Sequence, residues 1–296
     1  MTASTRGLNA VLGSLLMWGL FPLYLRPLHD IGTLEVIAHR IVWSCALILV
    51  WMLVRGELGK VRATLRDPAL LLRLSATAIL ITINWLTYVY AVANGQVLEA
   101  SLGYFINPLF NILLGVVLLS ERLNRAQWVS VALATAAVLY LAFSSGGPPW
   151  VALSVAASFS LYGLVRKVIA VEALPGLAVE TLLLMPIAAA YVLWRQWAGT
   201  GAMGHSSLSI DALLVGSGAY TALPLFLFSY GARLLPYSTA GLLLYINPTL
   251  QLLCGLLVFG EPFERSRAIG FGLIWAALAI YAADGVWRAG RKTAGA

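Results

Sequence analysis

Stretches of about twenty mostly apolar residues recur along the whole chain, and this length lets a helix cross the hydrocarbon core of a bilayer. Charged residues make up only 10% of the chain, against about 25% in soluble domains, which excludes a soluble globular protein. We therefore predict an all-α membrane protein with ten transmembrane helices. The predicted spans lie at residues 8–25, 34–54, 74–93, 97–119, 127–144, 149–170, 177–198, 211–233, 237–259 and 267–287.

The positions of the basic residues predict how these spans are oriented. With the N-terminus inside, fourteen of the nineteen Lys and Arg residues fall on the inner side and five on the outer side. Cytoplasmic loops are the ones enriched in basic residues, so both termini are predicted to be cytoplasmic. The same loops account for the net charge of +7. The predicted partners are the lipid bilayer and a small-molecule solute, with no nucleic acid and no obligate protein partner.

The cysteines indicate neither a metal site nor a disulfide. Only two occur, Cys45 and Cys254, and both lie inside apolar stretches. Zinc and redox sites need clustered ligands at close spacing, which this chain lacks. The two cysteines are predicted to be packing residues, and no metal and no cofactor is predicted.

The chain repeats itself at a nearly constant offset. Residues 104–108 (YFINP) recur as residues 244–248 (LYINP), and residues 118–121 (LLSE) recur as residues 258–261 (VFGE), in both cases 140 positions later. Each repeat holds five spans, an odd number, so the second copy must enter the membrane from the opposite side. We predict two inverted five-helix repeats, residues 1–144 and residues 145–296. A duplication retained only for packing is the alternative.

The repeated pattern resembles a known family. Each copy has a span with Asn-Pro, a Glu near the end of that span, and then Arg or Gln before a Gly/Ala-rich helix, which is similar to the EamA family of drug/metabolite transporters. Residues 18–24 (WGLFPLY), 38–40 (AHR) and 101–108 (SLGYFINP) look most like the RarD-type branch, which is linked by name to chloramphenicol sensitivity. The resemblance covers nearly the whole chain.

This resemblance implies ten spans, cytoplasmic termini in a bacterial cytoplasmic (inner) membrane, and a central cavity between the halves. It implies that Glu121 and Glu261 match the motif glutamate of the family and that Arg40 matches its arginine in the second span. The second half departs from the pattern, because the counterpart of Arg40 is Thr181. Family members are associated with amino acids, aromatic compounds, cationic drugs and nucleotide-linked metabolites, so the resemblance selects no substrate.

Polar side chains within the spans are candidates for lining the cavity, since such groups are costly in lipid. Asn107 and Asn111 lie one turn apart on one helical face, and Asn247 and Gln251 repeat this amide ladder in the second half. Amides donate and accept hydrogen bonds and suit a neutral or zwitterionic solute; interhelical hydrogen bonding is the alternative. Aromatic and amide side chains complete the predicted cavity, namely Trp18, Asn84, Tyr88, Tyr104, Tyr162 and Tyr245.

Ionisable residues in or near the spans are candidates for coupling or gating. Glu35 and His39 lie one helical turn apart and suit either a proton-sensitive pair or, as we favour, a solvated helix entrance. Arg40 lies deeper and is expected to be paired, with Glu99 as one partner that the sequence allows. The remaining candidates are Glu180 inside the seventh span and Glu121 and Glu261 at the ends of spans four and nine, where a salt link at a gate or structural anchoring are both open.

These features predict a secondary transporter that moves a small organic solute, of the amino-acid or aromatic, drug-like kind, by alternating access between the repeats. No Walker motif is present, so ATP is not expected to drive it directly. The chain lacks catalytic motifs such as paired aspartates or Gly-x-Ser-x-Gly, and no catalytic residue is predicted. A non-transporting receptor or scaffold is the main alternative, and a channel or an intramembrane enzyme is a weaker one.

Overall fold

A computed structural model describes residues 3–119, 123–144, 148–232, 234–235 and 243–294. Within these residues the chain forms twelve α-helices and one 3-10 turn, Arg26–Leu28, which confirms the predicted all-α class. The helices are α1 (Ala3–Gly19), α2 (Phe21–Leu25), α3 (Thr33–Val54), α4 (Leu58–Leu65), α5 (Pro68–Ala93), α6 (Val97–Leu119), α7 (Arg125–Ser144), α8 (Trp150–Val168), α9 (Ala173–Trp197), α10 (Leu208–Ala232), α11 (Ile246–Leu257) and α12 (Arg265–Ala294).

Seven of these helices are long and apolar enough to cross a membrane, namely α3, α5, α6, α7, α9, α10 and α12. Helices α1 and α2 meet at a bend of 45° and count as an eighth span if they cross as one. Helices α8 and α11 are apolar but shorter. The structure thus supports a multi-pass membrane protein with seven or eight spans by this measure, and the number ten stays a prediction.

Local sequence explains where the helices begin and end. At the start of α5, the Asp67 carboxylate accepts hydrogen bonds from the backbone N–H of Ala69 (2.9 Å) and Leu70 (3.1 Å), and Pro68 occupies the first turn. This cap starts α5 six residues before the predicted span. Before α7, Asn124 and Gln127 cap each other's backbone N–H groups, as in a capping box.

Helices from the two predicted repeats alternate in the bundle. Helices α1 and α3 pack against α10, α3 also packs against α9, and α8 lies between α5 and α6. Helix α11 packs against α1 and α6, and α7 packs against α12. The larger hydrophobic cluster joins α3, α5 and α9, and the smaller one joins α6, α7 and α12. The interior is therefore built largely from contacts between the two halves of the chain.

Helices α3 and α10 approach each other closely at Gly218. A Cβ atom on Gly218 would lie 2.4 Å from the carbonyl carbon of Trp43 and 2.7 Å from the backbone nitrogen of Ser44. Only glycine leaves room for backbones this close, a common feature of helix packing in membranes. This contact brings the polar side chains of α3 against α10.

Candidate functional site

Arg40 lies in the interior, where α3 meets α10. Its side chain is 6% exposed, and its Nε atom donates a hydrogen bond to Oγ1 of Thr221 at 2.7 Å. The guanidinium carbon lies 4.3 Å from the ring centroid of Trp85 and 4.8 Å from that of Phe21. Cation–π contacts of this kind stabilise a desolvated guanidinium by about 2 kcal/mol.

A group of aromatic side chains surrounds this guanidinium. The rings of Tyr24 and Tyr220 lie 4.4 Å apart, those of Phe21 and Tyr220 5.2 Å, and those of Tyr88 and Tyr104 5.9 Å. Phe21 also stacks on Tyr88 at 5.8 Å. We call this group the central aromatic cluster, and it consists of Phe21, Tyr24, Trp85, Tyr88, Tyr104 and Tyr220.

Several polar atoms of this region have no protein partner. Within the described part of the chain, the bond to Thr221 is the one hydrogen bond of the Arg40 side chain, and no carboxylate lies within 4.0 Å of its nitrogens. The hydroxyl of Tyr88 is buried without a hydrogen-bond partner. Such groups are rare in protein interiors unless a ligand or water satisfies them.

Asn84 holds one side of the cluster in place. Its amide nitrogen donates to the carbonyl oxygen of Val155 (3.1 Å) and to the hydroxyl of Ser158 (3.2 Å) on α8, and its amide oxygen accepts a hydrogen bond from the Tyr104 hydroxyl (3.2 Å). Of the residues predicted to line the cavity, the structure thus brings Asn84, Tyr88 and Tyr104 together beside Arg40.

The amide side chains of the predicted ladder do not belong to the central aromatic cluster. Asn107 is buried with its side-chain oxygen unpaired, whereas Asn111 is exposed. In the second half, the amide nitrogen of Gln251 donates to the side-chain oxygen of Asn247 (2.9 Å) and to the carbonyl oxygen of Trp18 (3.3 Å). The second ladder therefore joins α11 to α1, which is the interhelical role left open from the sequence.

Tyr162 and Tyr245, which were also predicted to line the cavity, make contacts outside the central aromatic cluster. Tyr162 donates a hydrogen bond to the Glu180 carboxylate (3.3 Å). Tyr245 lines a separate open pocket of about 270 Å³, together with Phe105, Thr249 and Trp275. The predicted lining thus divides among several places in the bundle.

Glu35 and His39 are not at a solvated helix entrance, so the favoured interpretation is wrong. These residues are 2% and 1% exposed, because the segment after α9 covers the start of α3. Glu35 pairs with Arg195 (2.9 Å) and accepts the backbone N–H of Ala202 (2.6 Å). Both ring nitrogens of His39 are buried without a hydrogen-bond partner, so Glu35 is bonded to Arg195 and Ala202 rather than to His39.

Glu180 is fully buried in α9. Its carboxylate accepts hydrogen bonds from Thr77 (2.7 Å) and Tyr162 (3.3 Å) and lies 3.8 Å from a guanidinium nitrogen of Arg166. Together with the pair of Glu35 and Arg195, this gives two buried ion pairs, each involving α9.

Glu99 and Glu261 cap helix N-termini. Glu99 accepts the backbone N–H of Val151 at the start of α8 (3.0 Å), and it makes no ion pair with Arg40, which corrects the partner suggested from the sequence. Glu261 accepts the backbone N–H of Val97 (2.5 Å) and Leu98 (3.0 Å) at the start of α6.

The two glutamates of the repeated motif are Glu121 and Glu261. Burial raises the pKa of Glu261, while the hydrogen bonds from Leu98 and Val97 and the charge of Arg267 act to lower it. The Arg267 side chain lies 3.9 Å away, and these contacts match the anchoring role that the sequence left open. Glu121, the corresponding residue of the first half, lies outside the described residues.

The neighbours of Arg40 could not be predicted from the sequence. Thr221 stands 181 positions away, and no motif or repeat offset pairs the two. Phe21 falls inside the motif at residues 18–24, and Trp85 directly follows Asn84, but helical spacing does not tell which helices meet.

Known proteins match nearly the whole chain. The profile of the EamA-like transporter family matches residues 5–143. The chain is 44% identical over 287 residues to an uncharacterised transporter of Pseudomonas aeruginosa, covering 97% of this chain and 96% of that protein. It is 39% identical over 282 residues to Protein RarD of Escherichia coli, covering 95% of each.

A solved structure shows the same fold. A crystal structure described only as that of a protein aligns with a TM-score of 0.56 and 19% sequence identity, covering 94% of this chain and 96% of that chain. At this identity the match concerns the fold alone.

Proposed function

Because the chain belongs to the EamA-like transporter family, we propose that it is a secondary transporter that moves a small organic solute across the bacterial cytoplasmic membrane by alternating access. In this proposal ten spans form two inverted five-helix repeats, with both termini in the cytoplasm. The solute binds in a central cavity between the repeats.

The contact between Arg40 and Thr221 carries this proposal. It joins the first half of the chain to the second in the interior of the bundle, beside the central aromatic cluster. Binding sites of transporters with inverted repeats lie near the membrane midplane at the interface of the repeats. Ionisable groups inside membranes are functional by default, and in this proposal Arg40 is such a group, because its contact with Thr221 joins the two halves of the chain.

The helix packing supports the inverted repeat. When the five spans of each half are numbered in order, the contact of α6 with α8 corresponds to that of α11 with α1. Likewise the contact of α5 with α8 corresponds to that of α10 with α1, and that of α3 with α10 to that of α5 with α9. Alternating access requires two equivalent sets of contacts between the halves. When each half adopts the conformation of the other, the open face of the protein changes.

Accessibility of Thr221 from the two faces tests the proposal without a known solute. We would place Thr221→Cys in a background with Cys45→Ala and Cys254→Ala, and treat right-side-out and inside-out vesicles with a small membrane-impermeant methanethiosulfonate. We expect labelling from both faces, since a central site must open to each side in turn. The control is Ile187→Cys, on an exposed position of α9 (75%), which should face lipid and stay unlabelled.

The other outcomes separate the alternative functions. Labelling from one face only would contradict alternating access and favour a receptor or scaffold. Labelling from both faces together with leakage of a trapped dye through the same vesicles would indicate a channel.

A further inference from the structure

Three arginines of the described chain have largely buried side chains, and they differ in their partners. Arg195 lies 2.9 Å from the carboxylate of Glu35, and Arg166 lies 3.8 Å from that of Glu180. Arg40 is the most buried of the three, and it has no carboxylate within 4.0 Å among the described residues. Burying an unpaired charge is strongly unfavourable, so Arg40 lacks a negative group that its counterparts have.

The protein compensates this charge only in part. Thr221 accepts one hydrogen bond from Nε, and the ring faces of Phe21 and Trp85 lie against the guanidinium. The two terminal nitrogens, which form the fork that binds carboxylates in pairs of parallel hydrogen bonds, donate to no group of the described chain. The unpaired hydroxyl of Tyr88 belongs to the same aromatic cluster.

We infer that Arg40 binds the carboxylate of the transported solute, and that the central aromatic cluster holds the apolar body attached to it. This inference rests on the proposed function and names the substrate class, a small organic monoanion or zwitterion with an apolar or aromatic body. The rings of Tyr88 and Tyr104 supply apolar surface beside the guanidinium. The hydroxyl of Tyr88 supplies a second polar contact that orients the solute.

The charge balance favours a carboxylate over a phosphate. A phosphate ester carries nearly two negative charges at neutral pH and is usually held by several cations or backbone N–H groups. Arg166 and Arg195 are each engaged by a glutamate, which leaves one unpaired guanidinium in the cluster. One positive charge matches one carboxylate.

Thermal unfolding of the purified full-length protein with matched probes tests the inference. The probes at 50 mM and pH 7.5 are benzoate, phenylacetate and 3-phenylpropionate, each compared with its own amide at equal ionic strength. Fragments of this size bind at about millimolar Kd, so we expect at least one carboxylate to raise Tm by roughly 2 °C or more. We expect its amide to raise Tm by less than a third of that amount.

Substitutions assign the effect to Arg40. Arg40→Gln should abolish the difference between acid and amide, and Arg40→Lys should retain it at weaker affinity, because Lys keeps the charge but not the fork. The control is Arg55→Gln, at the C-cap of the same helix with a side chain 62% exposed, and it should preserve the difference. If Arg40→Gln fails to fold, Arg40→Lys and Tyr88→Phe, both of which should lower the carboxylate response, decide the question.

Three outcomes would overturn the inference: no carboxylate stabilises the wild type, an amide stabilises it as strongly as its acid, or the difference survives Arg40→Gln.

Failure of this inference can be distinguished from failure of the proposed function. Two-sided labelling of the Thr221→Cys variant without carboxylate binding would leave a transporter that recognises its solute differently. Carboxylate binding that depends on Arg40, with labelling from one face only, would leave a binding site without transport.

Discussion

At the scale of single residues, Arg40 and Glu261 are two buried ionisable groups whose charges are compensated in different ways. Glu261 meets backbone N–H groups at the start of α6, which carry partial positive charge, so its carboxylate is compensated by the fold. Arg40 meets aromatic faces and one hydroxyl. Removing each charge therefore tests a different contribution to stability.

Arg40→Met should raise the Tm of the solute-free protein. Methionine fills the space between Phe21 and Trp85 without an unpaired charge. Replacing even a buried ion pair by apolar groups is often neutral or stabilises a protein by about 1–4 kcal/mol. The measurement is a thermal scan at a fixed rate, with Arg195→Met as control, which should lower Tm because it leaves Glu35 unpaired. A lower Tm for Arg40→Met would mean that the fold itself needs this guanidinium.

Glu261→Gln should reveal a pH-dependent contribution to stability. Burial raises the folded-state pKa of Glu261 above its ordinary value of 4.5, so above pH 4.5 the folded state binds more protons than the unfolded state. The stability of the wild type must then fall as pH rises from 4.5 through the folded pKa, while Gln does not titrate. We expect the Tm of the wild type minus that of Glu261→Gln to decrease between pH 4.5 and pH 7.5, and a difference that grows instead would contradict this account.

At the scale of helices, the position of the site depends on how closely α3 and α10 approach. Gly218 lets the two backbones meet beside Arg40 and Thr221, at a separation that any Cβ atom would prevent. Helices α1 and α10 have a similar contact, where a Cβ on Gly231 would lie 2.6 Å from the carbonyl oxygen of Gly7. Small residues thus set the spacing of the interface between the halves.

Gly218→Ala should lower Tm and weaken the contact of Arg40 with Thr221. The new methyl group meets the backbone of Trp43 rather than a flexible side chain, so the helices must separate, at a cost of about 1–3 kcal/mol. Gly163→Ala on α8 is the matched control, because its Cβ meets no atom within 4 Å and alanine favours the helix. Equal Tm values for the two variants would show that α10 shifts without cost.

At the scale of the whole molecule, the basic residues and the odd number of predicted spans per repeat predict the topology. Gly59 lies on α4, between α3 and α5, and Ser206 lies between α9 and α10; both are exposed. Ten spans with the N-terminus inside place Gly59 in the cytoplasm and Ser206 outside.

Single cysteines at these two positions should label from opposite faces of intact cells. We would introduce Gly59→Cys and Ser206→Cys separately into the background without native cysteines and treat cells with an impermeant maleimide before and after permeabilisation. Ser206→Cys should react before permeabilisation and Gly59→Cys only after it. Reaction of both before permeabilisation would rule out the inverted repeat with this orientation.

The class of the molecule could be predicted from the amino-acid sequence alone. Long apolar stretches predict membrane helices because backbone hydrogen bonds in lipid must be satisfied within each segment, and this requirement is local. Family membership also followed from short motifs such as residues 101–108. Helix ends were less certain, since α5 begins at Pro68 and the bend between α1 and α2 depends on their neighbours.

Which polar residues meet depends on how the helices pack. Arg40 and Thr221 are 181 positions apart, and Glu35 and Arg195 are 160 positions apart, so no helical period relates them. Their contacts follow from which helices pack together and at what spacing, which depends on glycines and side-chain shapes on both partners. The same packing buries Glu35 and His39, which their spacing in the sequence had placed at a solvated helix end. The segment after α9 covers them, and the residue pattern of α3 carries no information about a segment that packs over it.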